Sequence, residues 1–97
     1  MFSARLINHN DTYMLNICDA DLLGTTLNRG NFTLKISEKC YAQKVVEKEE
    51  AKDLLRRSNN INMVGKEIIS LSVDMGIGSQ NGVKEIDGIP FLLVFKM

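Results

Sequence analysis

The closing stretch of the chain, residues 83–96, limits the fold more than any other segment. Asp87-Gly88 sits between two apolar-rich runs. Both residues accept positive φ at low steric cost, so the stretch reads as two strands joined by a tight turn. From Phe91 to Phe95 every residue is apolar. A strand with one wet face alternates. An unbroken run predicts cover on both faces, or cover on one face and a partner masking the other.

A second hairpin is expected at the other end. Phe2, Ala4 and Leu6 alternate with Ser3, Arg5 and Ile7, and Tyr13, Leu15 and Ile17 alternate with Met14, Asn16 and Cys18, with His9-Asn10-Asp11 as the turn between them. Asp19 is placed to cap a short helical turn that Gly24 ends. After the turn Arg29-Gly30-Asn31, residues 32–37 read as a strand with Phe32, Leu34 and Ile36 inward, and residues 43–46 as a further short strand. The period then changes. Ala51, Leu54 and Leu55 make a helical stripe over residues 47–57, with acids in its first turn and Arg56 and Arg57 in its last, which suits the helix dipole.

A second helix is expected over residues 61–75. Asn59 or Asn60 would cap it, Ile61, Val64, Ile68, Leu71 and Met75 form its stripe, and Gly76 stops it. Gly65 inside that helix costs about 1 kcal/mol relative to Ala, so another element should approach closely there. The order of elements predicts one α+β domain over residues 1–97. It would have two layers, a mainly antiparallel sheet with a helix pair packed on one face.

The 97 residues are enough for one core, and 12 basic residues balance 12 acidic ones. That balance argues against strong non-specific attraction to nucleic acid or to a membrane surface. No apolar run is long enough to span a bilayer and the first residues lack signal-peptide character, so a cytoplasmic protein that does not engage membrane is expected. Cys18 and Cys40 have no Cys-x-x-Cys spacing and suit reduced thiols better than a bridge.

Catalytic chemistry finds little support. His9, Cys18, Cys40, Asp11, Asp19 and Asp21 lack the close pairing of a zinc site, and Asp19-x-Asp21 lacks the remaining acids and glycine of a calcium loop. A Cys–His pair would need His9 within reach of a thiol. The run Gly76 to Gly82 follows a helix and has the wrong spacing for a dinucleotide loop, and Gly65-Lys66 is followed by Glu67, so it is no phosphate loop. No cofactor and no metal is expected, and no enzymatic activity.

One charge pattern points further. Between residues 29 and 57 eight cations stand against five acids. Lys48, Lys52 and Arg56 recur every four residues on one helix face, with Arg57 beside them. Lys35 and Lys39 would extend the patch if the third strand lay next door. Such a stripe suits RNA phosphates, although aromatic residues for base stacking are missing and Asp53 to Arg57 is spaced for an ordinary helix pair. Asn62 and Gly65 are candidates for ligand or partner contact.

The pattern Asp21-Leu22-Leu23-Gly24, Gly30 to Ser37, Tyr41, Glu47 to Glu50, Asn62-Met63-Val64-Gly65 and Asp87-Gly88-Ile89-Pro90 resembles the archaeal family called domain of unknown function 424. The resemblance covers nearly the whole chain. It implies a small archaeal cytosolic protein without an established activity, loosely associated with translation and RNA binding, and it transfers no catalytic residues. The expected function is a non-enzymatic module associated with RNA or a ribonucleoprotein. One alternative is a protein-interaction or homodimer module that uses an apolar sheet face or edge. Another is an enzyme built on His9, Asp19 and Asp21.

Overall fold

A computed structural model describes residues 1–96, the side chain of Arg29 excepted. The side chain of that arginine, counted in the mid-chain charge above, therefore lies outside the description. In chain order the strands are β1 (Phe2–His9), β2 (Thr12–Asp19), β3 (Thr26–Arg29), β4 (Phe32–Lys35), β5 (Lys44–Val46), β6 (Asn60–Val64), β7 (Lys84–Ile86) and β8 (Ile89–Phe95). The helices are α1 (Glu38–Tyr41), α2 (Lys48–Arg57) and α3 (Lys66–Asp74), and short 3-10 turns lie at Ala20–Leu22 and Gln80–Gly82. Among the described residues, β5-β1-β2-β6-β8-β7 form one sheet in that order and β3-β4 a separate two-stranded one. The fold is α+β, as expected. The β2–β6 pairing is parallel and the other strand pairs are antiparallel.

Both terminal hairpins form where the turn chemistry placed them, with Asn10, Asp11, Asp87 and Gly88 at positive φ. α2 also agrees, burying Ala51, Leu54 and Leu55. Its C-terminal carbonyls are satisfied one after another. Ser58 Oγ donates to Leu54 O at 2.7 Å, and Lys96 Nζ donates to Leu55 O at 2.6 Å and Arg56 O at 3.1 Å.

The expected second helix needs correction. Residues 60–64 are not its first turns but β6, a strand in the middle of the sheet, and helix α3 begins only at Lys66. The alternation Asn60-Ile61-Asn62-Met63 carried the strand signal inside a stripe that also fits a helix. Asn59 caps nothing. Its Oδ1 accepts from Tyr13 N at 2.9 Å. β3 and α1 were not foreseen, and Phe32 points outward at 55% exposure instead of inward.

The register fixes two faces. On one, Leu6-Leu15-Ile61-Val94 and Ala4-Ile17-Met63-Leu92 form cross-strand rows. α2 and α3 cover this face with Ala51, Leu54, Leu55, Ile68, Ile69 and Leu71, which makes the main core. On the other face only one end is covered. There the row Ser3-Cys18-Val64-Phe91 meets the β3–β4 hairpin and α1, and Leu27, Ile36 and Tyr41 join Cys18, Val64 and Ile86 in a second cluster.

Candidate functional site

Beyond that row the second face is covered only in part, where the end of α1 reaches Arg5 and Asn16. Two rows cross the four central strands, Ile7-Met14-Asn60-Phe95 and Arg5-Asn16-Asn62-Leu93. Phe95 is 71% exposed, Leu93 52% and Met14 42%, while the three asparagines, Arg5 and Ile7 are half-buried. The result is a shallow groove of about 210 Å³ with Met14, Asn16, Asn60, Asn62, Leu93 and Phe95 along it. Cover on both faces, the first pattern expected for the terminal strand, does not hold along its whole length. Leu92 is buried and Phe91 half-buried, but Leu93 and Phe95 meet solvent on the part of β8 beyond its pairing with β7.

The groove is held by α1. Ser37 Oγ accepts from Cys40 N at 3.3 Å and starts this short helix. Its C-terminal carbonyls then serve as acceptors for the sheet. Arg5 donates to Lys39 O, Asn16 Nδ2 to Cys40 O at 3.1 Å, and Ser3 Oγ to Tyr41 O at 2.8 Å. Asn62 Nδ2 donates to the Tyr41 hydroxyl at 2.9 Å, and burial pushes that phenol up to about 12. Asn16 and Asn62 are therefore fixed in orientation, and each keeps a carbonyl oxygen for a further bond. Asn62, a contact candidate from sequence, lies at the centre of this face. The apolar side chains around it were not foreseen, because their exposure depends on what covers each sheet row. The signal was the unbroken 91–95 run.

Gly65 lies elsewhere, at the β6–α3 junction, with φ 119° and ψ 151°. The expected close approach is present, but at a strand end and not inside a helix. The element that approaches is Asp19. Its Oδ2 accepts from Glu67 N at 3.0 Å and its Oδ1 from Ile68 N at 2.9 Å, so it caps α3. The 3-10 turn that follows Asp19 receives no side-chain cap from it. Burial raises the Asp19 pKa above 3.8, and the two backbone N–H groups pull it back.

The cationic candidates separate into two groups. Lys48, Lys52, Arg56 and Arg57 share α2, on the helix-covered side. Lys35 is exposed on β4, in the hairpin over the opposite face. Within α2, Lys52 Nζ stands 3.7 Å from Glu49 and Arg57 Nε 3.3 Å from Asp53. A groove of about 550 Å³ near the starts of α2 and α3 brings Lys48 and Lys66 together with Glu47, Glu67 and Asp74. His9 and Asp19 occupy opposite ends of the β1–β2 hairpin, so the suggested enzymatic group is not brought together. No helix among the described residues is long and apolar enough to cross a membrane.

The fold and the face define a small α+β protein with a half-covered sheet. The chain belongs to the family described as Protein of unknown function (DUF424), whose model matches residues 7–97. It is similar in structure to an uncharacterized conserved protein from Methanopyrus kandleri. The TM-score is 0.79 at 28% sequence identity, over 99% of this chain and 93% of that one. No curated protein matches it.

Proposed function

We propose that this protein is a non-enzymatic docking module that binds a protein partner through the open face of its sheet. The observation that carries this reading is the exposure of Phe95 and Leu93 on β8, beyond the residues that pair with β7, with Asn60 and Asn62 beside them and Met14 one strand further on. A large aromatic on a flat face with orienting asparagines suits the apolar centre and polar rim of an interface.

Association with RNA or a ribonucleoprotein is the second reading. It is favoured by the spacing of Lys48, Lys52 and Arg56 along α2. Two of the four α2 cations face carboxylates, and Lys35 belongs to the other side, which weakens this surface as a phosphate track.

Tagged protein used as bait in native cell extract, with and without nuclease, separates the two. We expect a protein partner retained after nuclease, lost with Phe95→Lys and kept with Lys48→Glu/Lys52→Glu. Loss on nuclease treatment and with the double glutamate variant, but not with Phe95→Lys, would reverse the reading in favour of RNA.

A further inference from the structure

We infer that the partner adds a β-strand to this protein: an extended segment of another protein, with apolar residues at alternate positions, pairs with the outer edge of β8 at Leu93 and Phe95. This deepens the docking reading and rests on it.

The hydrogen-bonding register shows which edge is free. Gly65 N donates to Pro90 O at 2.9 Å and Lys96 N donates to Asn59 O at 2.8 Å. In an antiparallel ladder every second residue bonds to a given neighbour. Pro90, Leu92, Val94 and Lys96 therefore turn their main-chain groups toward β6, and Phe91, Leu93 and Phe95 turn theirs away. On that outer side Phe91 meets Lys84 of β7. β7 pairs no further along, so the N–H and C=O groups of Leu93 and Phe95 have no main-chain partner among the described residues. The loop over residues 77–83 bonds to itself and to Ser72 of α3, and its Gly78 and Gly82 lie against the Leu92 side chain on the helix-covered face.

Exposed edges are ordinarily blunted by shortness, by a charge or proline, or by a bulge. β5, the opposite edge of the sheet, is only three residues long, and its Lys44 pairs with Glu50. β8 has seven residues, keeps unbroken register with β6 and carries no charge or proline from Phe91 to Phe95. The next cation, Lys96, is turned back onto the Leu55 and Arg56 carbonyls.

The chemistry of this edge selects its occupant. Main-chain donors and acceptors at alternate residues match another extended backbone. Leu92 to Lys96 spans about 17 Å of strand, so the segment needs about five residues. Its residues opposite Leu93 and Phe95 would stand beside those two exposed side chains, where aromatic or β-branched residues gain most.

Random linear peptides displayed on phage and panned on the immobilised protein test this. Selected peptides should carry apolar residues at i and i+2. By NMR, the Leu93 and Phe95 amides should exchange quickly in the free protein and at least about tenfold more slowly with peptide bound, whereas Val94 stays slow in both. Leu93→Pro removes an outward N–H and should weaken binding more than about tenfold, and Leu93→Ala, which keeps it, about threefold. Peptides N-methylated at alternate amides make the same test on the unaltered protein: one set should lose binding and the other keep it. Peptides that bind without slowing the two amides, or that tolerate methylation in both sets, overturn strand addition. If Phe95→Lys abolishes their binding, docking on the face stands; if not, it falls too. No enrichment over a Leu93→Pro control overturns strand addition and leaves the docking reading to the extract experiment. A mass that doubles with concentration as the two amides become protected makes a second copy the occupant and overturns the partner segment.

Discussion

Replacing Gly65 with alanine tests the junction on which the sheet and α3 depend. A Cβ at this position would overlap the Asp19 carboxylate, with Oδ1 only 2.8 Å away and Cγ and Oδ2 closer still. The backbone angles, φ 119° and ψ 151°, fall in a region essentially reserved for glycine, where another residue costs about 1–3 kcal/mol. Displacing Asp19 also frees the amides of Glu67 and Ile68, and losing a helix cap costs about 1–2 kcal/mol. The two effects together give about 2–5 kcal/mol, a large part of the stability of an ordinary small domain. In urea, with a slope of about 1.5 kcal/mol per molar, the midpoint should fall by roughly 1.5–3 M. The same substitution in an Asp19→Ala background isolates the cap. There it should cost about 1–2 kcal/mol less, because no carboxylate remains to be displaced. A Gly65→Ala cost below about 1 kcal/mol, or equal costs in the two backgrounds, would refute this account of the junction.

Lys96→Ala should destabilise the protein by about 1 kcal/mol in thermal unfolding, since it removes donors from two consecutive α2 carbonyls. The Asp19 pKa is raised in the folded state, so its contribution to stability is greatest below the ordinary 3.8 and is lost as pH rises through the folded value; titration of its carboxyl carbon by NMR should give a midpoint above 3.8. Iodoacetamide should modify the native protein once, at the exposed Cys40. Cys18, buried and pushed up to about 12, should react only after denaturation, which mass spectrometry will count. Leu54→Ala, in the core beneath α2, should cost about 2–5 kcal/mol by chemical denaturation.

Local chemistry was enough for the two terminal hairpins, for α2 and for the class of fold. Asp87-Gly88 and Asn10-Asp11 bias their own backbones, and the Ala51, Leu54 and Leu55 stripe buries one face whatever lies beneath it. Residues 60–64 show where local pattern stops. Their apolar positions fit period 2 and period 3.6 alike, and the decision went to the strand because β2 and β8 offer hydrogen-bonding edges on both sides. Asp19 likewise looked like the cap of the turn beside it. It caps a helix 48 residues away, because Gly65 brings the start of α3 against it. The open face was still less legible. Leu93 and Phe95 read as core residues from composition alone. Their exposure follows from the short β3–β4 hairpin and four-residue α1, which cover one end of the sheet and leave the rest to solvent. Sequence settles which residues prefer burial. Which of them are denied it depends on how far the covering elements reach, a property of the assembled chain.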